Sequence, residues 1–416
     1  MTKCILHLDM DSFFASVEQQ ANPRWRNKPL GVIKGEGRTC IIAASREAKK
    51  LGIKTGTTIY EARRICPSIV LVPADFDKYF SVTQSFIEIC SRYSPDWEIF
   101  SIDELFLDVT ETQSLFGGVS AIVRKIKKAL REEVGEYITC SIGISYNRLL
   151  AKLASEINKP DGVFEITLDN RDEILFKTKL SAVCGLGRRL EQKLLEAGIT
   201  DFKSLRAVPE ECLLTRVGPF WTKELKRMAW GEDDSLLTRV GEIPKAKSVS
   251  RTYTLRANTQ DRKIIRATLR SLCEEAAFKA REMGLVGRLV GLAVRDPVFV
   301  EGNVAASSYK HKTLRYPVDA GGDVFEIAWE LFQEMKWLGD VRFLGVWLSQ
   351  LIPKQNQNLS LLPEEQKKEN LITAMDKVNK RFGELTLYPG IILRSEWIKS
   401  EINGFLGDKA YRFGRV

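Results

Sequence analysis

The chain has 416 residues, 44% of them hydrophobic and 28% charged, which is the balance of a folded globular protein and excludes a disordered one. Its length predicts two to four domains rather than a single core, and no apolar run approaches the ~20 residues that a membrane helix needs. The net charge of +9 suits a polyanionic partner such as nucleic acid, although many basic proteins bind none.

The first third of the chain predicts a small α+β sheet domain. Residues 3–10 form an apolar strand that ends in Asp9 and Asp11, and these two charges exclude a signal peptide. Downstream we predict a strand at 40–44 and two short helices at 45–53 and 58–66. A strand pair with a polar centre follows at 98–109 and a basic amphipathic helix at 118–134. The last two elements are a strand at 137–145 and a helix at 147–158. The alternation is typical of a split strand–helix–strand fold with one insertion.

The rest of the chain changes character twice. Residues 166–235 predict short helices separated by glycine-containing turns, and the polar segment 239–250 predicts a linker. Residues 251–350 predict a second α+β domain with two long helices, near 260–283 and 322–337. Beyond it lies a polar tail with one short apolar island.

Cysteine and histidine usage excludes two kinds of structural site. The eight cysteines are scattered without a Cys-x-x-Cys pair, and the chain has only two histidines. Neither a disulfide framework nor a structural zinc site is predicted. Without a signal peptide or a membrane helix, we expect a cytoplasmic protein, associated with the nucleoid if the source is bacterial.

Three carboxylates are candidates for a metal site. Asp9 ends the first strand, and Asp103 and Glu104 lie within "SIDELFLDV" on the later strand pair. Adjacent side chains on a regular strand point to opposite faces, so Asp103 and Glu104 can act together only if the backbone turns or bulges there. If the two strands are neighbours, the acids converge and favour Mg²⁺, two ions of which can catalyse phosphoryl transfer. The alternative is that these acids only solvate strand ends.

Four motifs in chain order carry a family resemblance: "LDMDSFFASVE", "SIDELFLDV", "GISYNRLLAKLASEINKPDG" and "CGLGRRLEQKLLEAGI". Together they resemble the Y-family translesion DNA polymerases, close to the DinB-type polymerase IV branch. The resemblance implies a multidomain α+β right hand with a ferredoxin-like palm, small fingers, a helix-hairpin-helix thumb and an α+β little finger. Its ranges are palm 1–18 and 76–165, fingers 19–75, thumb 166–238, linker 239–250, little finger 251–350 and C-terminal tail 351–416.

The resemblance also implies roles for single residues. Asp9, Asp103 and Glu104 match the metal-binding and catalytic acids, with the Met10 carbonyl as a further ligand and two Mg²⁺ ions per site. Glu104 matches the acid that assists the nucleophile. Asp11 matches no ligand of this family, and we expect it to have a structural hydrogen-bonding role.

Aromatic and basic side chains near these acids match nucleotide-binding positions of the family. Phe14 matches the steric gate, a ring under the incoming sugar that leaves no room for a 2′-hydroxyl. Phe13 is expected in the core, and spacing alone places both rings there.

The resemblance is weaker at the triphosphate. The family usually has Tyr-Glu-Ala-Arg where this chain has Arg46-Glu47-Ala48-Lys49, and a lysine cannot make the bidentate fork of arginine. Arg46 stands at the Tyr position and would compensate. Lys159 matches the triphosphate-binding lysine. For Lys49 and Lys152 the alternative is a solvated helix face.

Two regions are predicted to hold DNA. Gly185 and Gly187 permit the tight turn of a helix-hairpin-helix, whose next helix starts at Arg188, and "RVGPF" at 216–220 is a weak second copy. Residues 245–288 carry eleven Lys and Arg against four Asp and Glu. This excess, which includes Lys247 and Arg251, suits sequence-independent binding to the DNA backbone.

The apolar island of the tail, "QNLSLL" at 357–362, resembles the peptide with which such polymerases bind a sliding clamp. The usual peptide is Gln-Leu-Ser-Leu-Phe, so this chain departs from it at two positions. An ordinary packing segment is the alternative. The clamp-binding residues would be Asn358, Leu359, Leu361 and Leu362.

The combined interpretation is a template-directed, Mg²⁺-dependent DNA polymerase for translesion synthesis. It would act as a monomer on primer–template DNA and dNTP. Fingers of about 55 residues predict low fidelity, and no exonuclease-sized segment is apparent, so we expect no proofreading. Two rivals stay open: a non-catalytic accessory protein of the same fold that binds DNA and a clamp, and a palm-like nucleotidyl cyclase.

Overall fold

The computed structural model describes residues 3–35, 39–238, 245–296, 299–300, 303–304, 307–356, 362–383 and 386–395. The chain divides into two compact units, and the division falls between Glu242 and Ile243, inside the segment predicted as a linker. We describe each unit by itself. No helix in the described ranges is long and apolar enough to span a bilayer.

The first unit contains eight strands and ten α-helices within the described residues. They are β1 Ile5–Met10, α1 Phe13–Ala21, β2 Leu30–Ile33, β3 Ile41–Ala44, α2 Arg46–Lys50, α3 Ile59–Ile65, β4 Val70–Pro73, α4 Phe76–Ser91, β5 Trp97–Ile99, β6 Glu104–Asp108, α5 Val119–Ala129, β7 Cys140–Ser145, α6 Arg148–Ile157, β8 Val163–Glu165, α7 Arg171–Lys177, α8 Arg188–Glu196, α9 Phe202–Ala207 and α10 Glu210–Ala229. The predicted helix 118–134 corresponds to α5, which continues as a π-helical turn over Leu130–Val134.

The principal sheet has the strand order β5-β6-β1-β7-β8. All six residues of the central strand β1 are buried, because helices cover both of its faces. Leu6, Leu8 and Met10 pack with side chains of α4 and α5 in the main core. His7 and Asp9 therefore lie on the opposite face, where α6 packs against β1 and β7. This alternation places polar groups under α6.

A smaller sheet has the order β3-β2-β4, with β2 parallel to β4. The core between this sheet and helices α2 and α3 includes Ile41, Ala48 and Ala62. Helix α3 begins with a reciprocal capping box between Thr58 and Glu61, which satisfies two backbone donors at its N-terminus. Strands β2 and β4 have only four residues each and were not predicted from the sequence.

The helices from α7 to α10 form a separate core that includes Phe202, Leu205 and Leu225. Helix α10 is broken at Gly218, whose φ of 80° lies in the left-handed region that glycine adopts without strain. Pro219 follows directly, as is common at the first position of a helix. The "RVGPF" segment is therefore a true break between two helical segments.

The second unit is built on the sheet β13-β10-β14-β9, with long helices packed on one face. Glycine at 291 makes room for a large ring, because a Cβ there would lie 1.9 Å from Trp347. Its elements are β9 Ser248–Thr259, α11 Arg262–Glu282, β10 Leu285–Arg295, β11 Phe299–Val300, β12 Asn303–Val304, β13 Ser307–Val318, α12 Gly321–Glu334, β14 Val341–Pro353 and α13 Pro363–Phe382. Both predicted long helices are confirmed as α11 and α12.

Helix α13 lies in the region predicted as a polar tail. Its charged face is fixed to the second unit by ion pairs, of which Arg281–Asp376 is bidentate with distances of 2.7 and 2.8 Å. Lys354 bridges Asp319 and Glu369 at 2.9 Å each. Helix α13 is thus attached to α11 by ion pairs.

Candidate active site

The hydrogen-bonding register of β1 and β6 brings the candidate acids together. Asp9 lies directly opposite Glu104 in this antiparallel pair. The N–H of Met10 donates to the carbonyl of Asp103 at 2.9 Å. The backbone turns just before β6, where the N–H of Glu104 faces the carbonyl of Ser101 at 3.4 Å. The two strands are neighbours and the backbone turns at Asp103, so both conditions for these acids to act together are met.

Each of the two facing carboxylates is paired with a lysine. The Lys159 ammonium lies 2.8 Å from Asp9 and 2.6 Å from Glu156. Lys152 of α6 lies 2.8 Å from Glu104, and both side chains of this pair are only 17% exposed. The chain therefore supplies two cations of its own to the acidic cluster.

The electrostatics of the cluster are dominated by burial. Burial raises the pKa of the Asp9 carboxyl, the charges of Glu104 and Asp103 raise it further, and Lys159 opposes them. Burial disfavours the ammonium of Lys159, but the charges of Asp9 and Glu156 outweigh it and raise its pKa. The contact of 2.8 Å between Lys159 and Asp9 has the geometry of an ion pair. The raised pKa of Asp9 reflects first its burial and then the neighbouring acids.

The donor chemistry of the cluster fits a hard divalent cation. Three carboxylates and the carbonyl of Met10 are oxygen donors of the type that Mg²⁺ prefers. As the side chains stand, no three His, Cys, Asp or Glu in the described ranges converge closely enough to hold an ion. Asp9 and Glu104 are each paired with a lysine, and Asp103 accepts a hydrogen bond from the hydroxyl of Ser101.

Asp11 has the structural role expected of it, as a buried hydrogen-bond acceptor. Its Oδ1 accepts from the Ser141 hydroxyl at 2.7 Å, and its Oδ2 accepts from the Thr139 hydroxyl at 2.6 Å and the Asp161 N–H at 2.7 Å. Arg46 donates to Thr139 and lies 3.7 Å from Asp11. This network fastens α2, β7 and the loop before β8 together.

The two phenylalanines after β1 differ in burial. Phe13 is 3% exposed and belongs to the main core. Phe14 is half-buried and stacks on Tyr79 with a centroid distance of 4.3 Å and an interplanar angle of 14°. Tyr79 is itself held by a hydrogen bond of 2.8 Å from its hydroxyl to Glu18. The ring of Phe14 therefore rests on a rigid support and keeps one part accessible.

The other candidate nucleotide-binding cations lie at different depths. Lys49 is exposed on α2. Lys159 is carried by a loop whose next residues are anchored, because the Lys127 ammonium lies 2.8 Å from Asp161 and Arg131 lies 2.6 Å from it. The structure brings Lys159 to the acidic cluster and leaves Lys49 at the surface of its helix.

Two side chains of the cluster were not assigned a role from the sequence. For Lys152 the sequence left open whether the side chain has a function or lies on a solvated helix face. For His7 it suggested no role. His7 is fully buried, its Nδ1 lies 2.8 Å from the Ser155 hydroxyl and its ring lies 4.6 Å from that of Phe106. The signal was present in the alternation of β1, which puts residue 7 on the same face as residue 9.

The predicted hairpin residues are exposed at the start of α8. Gly185 has a φ of 98°, a conformation that favours glycine. Gly187 is the N-cap residue of α8 and is followed by the exposed Arg188. The free backbone donors of a helix start are therefore presented at this surface.

In the second unit, the two predicted DNA-binding cations have different surroundings. Lys247 is exposed just before β9. Arg251 lies on the helix-covered face, 3.6 Å from the buried Glu275 of α11. The contact between Arg251 and DNA stays a prediction. Any such contact would compete with the ion pair between Arg251 and Glu275.

Most of the clamp-like peptide lies outside the described residues. The one described member, Leu362, is 65% exposed and directly precedes α13. The members that lie outside are Asn358, Leu359 and Leu361.

Family models match most of the chain. The impB/mucB/samB family model matches residues 8–156, and the model of that family's C-terminal domain matches residues 246–361. The first match contains Asp9, Asp103 and Glu104, and the second contains the four-stranded sheet of the second unit.

Curated relatives match nearly the whole length. A DNA polymerase IV of Dehalococcoides mccartyi (strain CBDB1) is 31% identical over 93% of this chain and 96% of its own length. A DNA polymerase IV of Moorella thermoacetica is 32% identical over 94% of this chain and 96% of its own length.

Solved structures agree with these relatives. A Y-family DNA polymerase chimera of Dbh and Dpo4 is 26% identical and has a TM-score of 0.70 over 84% of this chain and 99% of its own. An insertion ternary complex of Dbh DNA polymerase is 26% identical and has a TM-score of 0.55, and the match covers 84% of this chain and 99% of that chain.

Proposed function

The chain belongs to the impB/mucB/samB family of DinB-type Y-family DNA polymerases, and we propose that Asp9, Asp103 and Glu104 are its catalytic acids. As a member of this family it is a DNA-directed DNA polymerase of translesion synthesis, and its nucleotidyl transfer depends on a divalent cation. The observation that carries the residue assignment is the register of β1 and β6, which sets Asp9 opposite Glu104 at the end of the sheet.

We assign the cation site to the carboxylates of Asp9, Asp103 and Glu104 and the carbonyl of Met10. Two bound Mg²⁺ ions would activate the primer 3′-hydroxyl and stabilise charge on the leaving pyrophosphate. In the reaction the 3′-oxygen bonds to the α-phosphorus of the dNTP while the bond from that phosphorus to pyrophosphate breaks. Glu104 would take up the proton that the 3′-hydroxyl loses.

The neighbouring side chains would hold the nucleotide. Lys159, already at the cluster, would bind the triphosphate, with Arg46 and Lys49 of α2 as further cations. Phe14 would exclude a 2′-hydroxyl, and its stacking on Tyr79 supports this role because a braced ring cannot move aside.

The other domains of the right-hand fold are assigned from the resemblance to the family and the order of the elements. We propose that the five-stranded sheet is the palm, the segment with β2 to β4 the fingers, α7 to α10 the thumb and the second unit the little finger. The hairpin before α8 and the outer face of the second unit's sheet would bind primer–template DNA through its phosphates. Low fidelity, absence of proofreading, a monomeric state and docking of the 357–362 peptide on a sliding clamp belong to this proposal.

Primer extension tests the catalytic assignment. Asp103→Ala should abolish extension in Mg²⁺, and EDTA should do the same to the wild type. The matched control is Asp96→Ala, since Asp96 is an exposed acid at the other end of the β5–β6 hairpin. Extension by Asp103→Ala at the wild-type rate would contradict the assignment and favour the non-catalytic accessory protein. Formation of a cyclic product from NTP without primer would favour a cyclase.

A further inference from the structure

Lys152 is set in α6 at the edge of the face that packs on the sheet. Leu150, Leu153 and Ala154 are buried between α6 and its neighbours, and the Asn147 side chain caps the helix by accepting from the Leu150 N–H. These contacts fix the direction in which Lys152 leaves the helix. The alternative of a solvated helix face does not describe Lys152, because its side chain is 17% exposed.

The Lys152 ammonium has two partners. It lies 2.8 Å from Oε1 of Glu104, and it lies 4.8 Å from the centroid of the Phe100 ring. The Phe100 ring in turn contacts Phe106 edge-on at 5.5 Å. A half-desolvated ion pair braced by aromatic rings holds its geometry better than an exposed pair, and loss of one partner leaves the other charge uncompensated.

The second carboxylate of the cluster has its own cation, since Asp9 is paired with Lys159. Lys159 also contacts Glu156, whereas the only carboxylate within ion-pair distance of Lys152 in the described residues is Glu104. From this one-to-one pairing we propose that Lys152 is the internal counter-ion of Glu104, which holds this carboxylate in the metal-free enzyme and competes with the divalent cation for it. The inference rests on the proposed function, namely on Glu104 as a cation ligand.

Two physical consequences follow. A positive charge beside Glu104 repels an arriving divalent cation, so the ammonium weakens cation binding even if it does not block the ligand atoms. The ammonium also has room to withdraw, because Lys152 lines a cavity of about 170 Å³ together with Phe100 and Phe106. Lys152 is in this sense a positioning residue, since it acts on the reaction through Glu104.

Binding of Mn²⁺ to the protein alone tests the competition without any turnover. Free Mn²⁺ is counted by electron paramagnetic resonance in titrations of wild type, Lys152→Met and Lys152→Arg, without DNA or nucleotide. Lys152→Met keeps the length of the side chain and removes its charge, so its Kd for Mn²⁺ should fall about five- to tenfold. Lys152→Arg keeps the charge and should bind like the wild type. Lys177→Met removes one charge from an exposed thumb pair and should change nothing.

The outcomes separate this inference from the proposed function. Glu104→Gln should weaken Mn²⁺ binding, and if it does not, the assignment of Glu104 as a ligand fails. If Glu104→Gln weakens binding while Lys152→Met binds as the wild type does, or less tightly, only the competition fails. Should Lys152→Met not fold by circular dichroism, Lys152→Gln decides instead, because it can still donate a hydrogen bond to Glu104 without carrying charge.

Discussion

Replacing Asp9 and Asp11 one at a time by alanine should separate a carboxylate that lowers stability from one that provides it. The two acids are two residues apart and both are buried, at 7% and 4% exposure. They differ in their partners. Asp11 accepts three hydrogen bonds, whereas Asp9 faces other acids and shares its lysine with Glu156.

The magnitudes follow from these contacts. Hydrogen bonds to a charged acceptor contribute roughly 1.5–3 kcal/mol each and are not additive. Asp11→Ala leaves the Ser141 and Thr139 hydroxyls and the Asp161 N–H without this acceptor, so it should cost about 3–5 kcal/mol. Asp9→Ala removes a carboxylate whose pKa is raised by burial and like charge, and it leaves Lys159 with Glu156. It should change the free energy of unfolding by about 1 kcal/mol or less, toward greater stability.

Thermal unfolding in EDTA at neutral pH measures this difference, and primer extension in Mg²⁺ measures activity on the same samples. Asp11→Ala should lower the Tm by on the order of 10 °C. Asp9→Ala should keep the wild-type Tm and lose extension altogether. A loss of stability in Asp9→Ala as large as that in Asp11→Ala would refute the reasoning, because Asp9 would then be a structural acceptor.

Three further outcomes are expected. Phe14→Ala should incorporate ribonucleotides in primer extension, and Phe13→Leu should not. Unchanged dNTP/rNTP discrimination in Phe14→Ala would contradict the role of Phe14 as a steric gate. The Arg206 guanidinium, together with Arg171, holds the pKa of Asp172 below its usual range. The charged Asp172 therefore stabilises the fold fully above about pH 4, and this stabilisation is lost as the pH falls through the pKa of Asp172 in the folded state. Asp172→Asn should therefore cost about 1 kcal/mol or less at pH 7, since Asp172 is largely exposed, and clearly less than that near pH 2, which lies below the ordinary pKa of aspartate; equal costs at both pH values would contradict this. DNA affinity should fall steeply with salt, and a flat log–log plot of affinity against salt concentration would contradict binding of the DNA phosphates by the basic residues of 245–288.

The sequence indicated the members of the acidic cluster and the conditions under which they meet, because these depend on only two strands. Alternation within "ILHLDM" puts Asp9 at the end of a buried strand, whereas the turn at Asp103 and the adjacency of the two strands were conditions that the sequence left open. Once these strands are neighbours, the register follows from their apolar residues, because a slip of one residue would turn every side chain to the other face. The helices α11 and α12 were predicted for a similar reason, since their apolar spacing is helical.

Contacts between distant segments could not be read in the same way. The periodicity of α6 marks Leu150, Leu153 and Ala154 as its inner face, but it does not say which residue of β6 lies beyond Lys152. Helix α13 was missed because its attachment depends on ion pairs such as Arg281–Asp376, and charged residues on a polar stretch also fit a solvated segment. The strands β2 and β4 were missed although β3, which was predicted, has the same four-residue length, so their length alone does not explain the omission.

The pairing of lysines with the proposed catalytic acids also bears on the stability of the fold around them. Three buried or half-buried carboxylates near one another would raise each other's pKa and destabilise the fold if nothing compensated them. Lys152 and Lys159 supply compensation that comes from α6 and the loop after it, two segments fixed by apolar packing and by the Asp11 network. Burial is the first cause of the raised pKa of Asp9, and the charges of the neighbouring acids add to it. The two lysines therefore offset part of the repulsion among these acids in the fold, and a divalent cation that binds the same carboxylates has to compete with them.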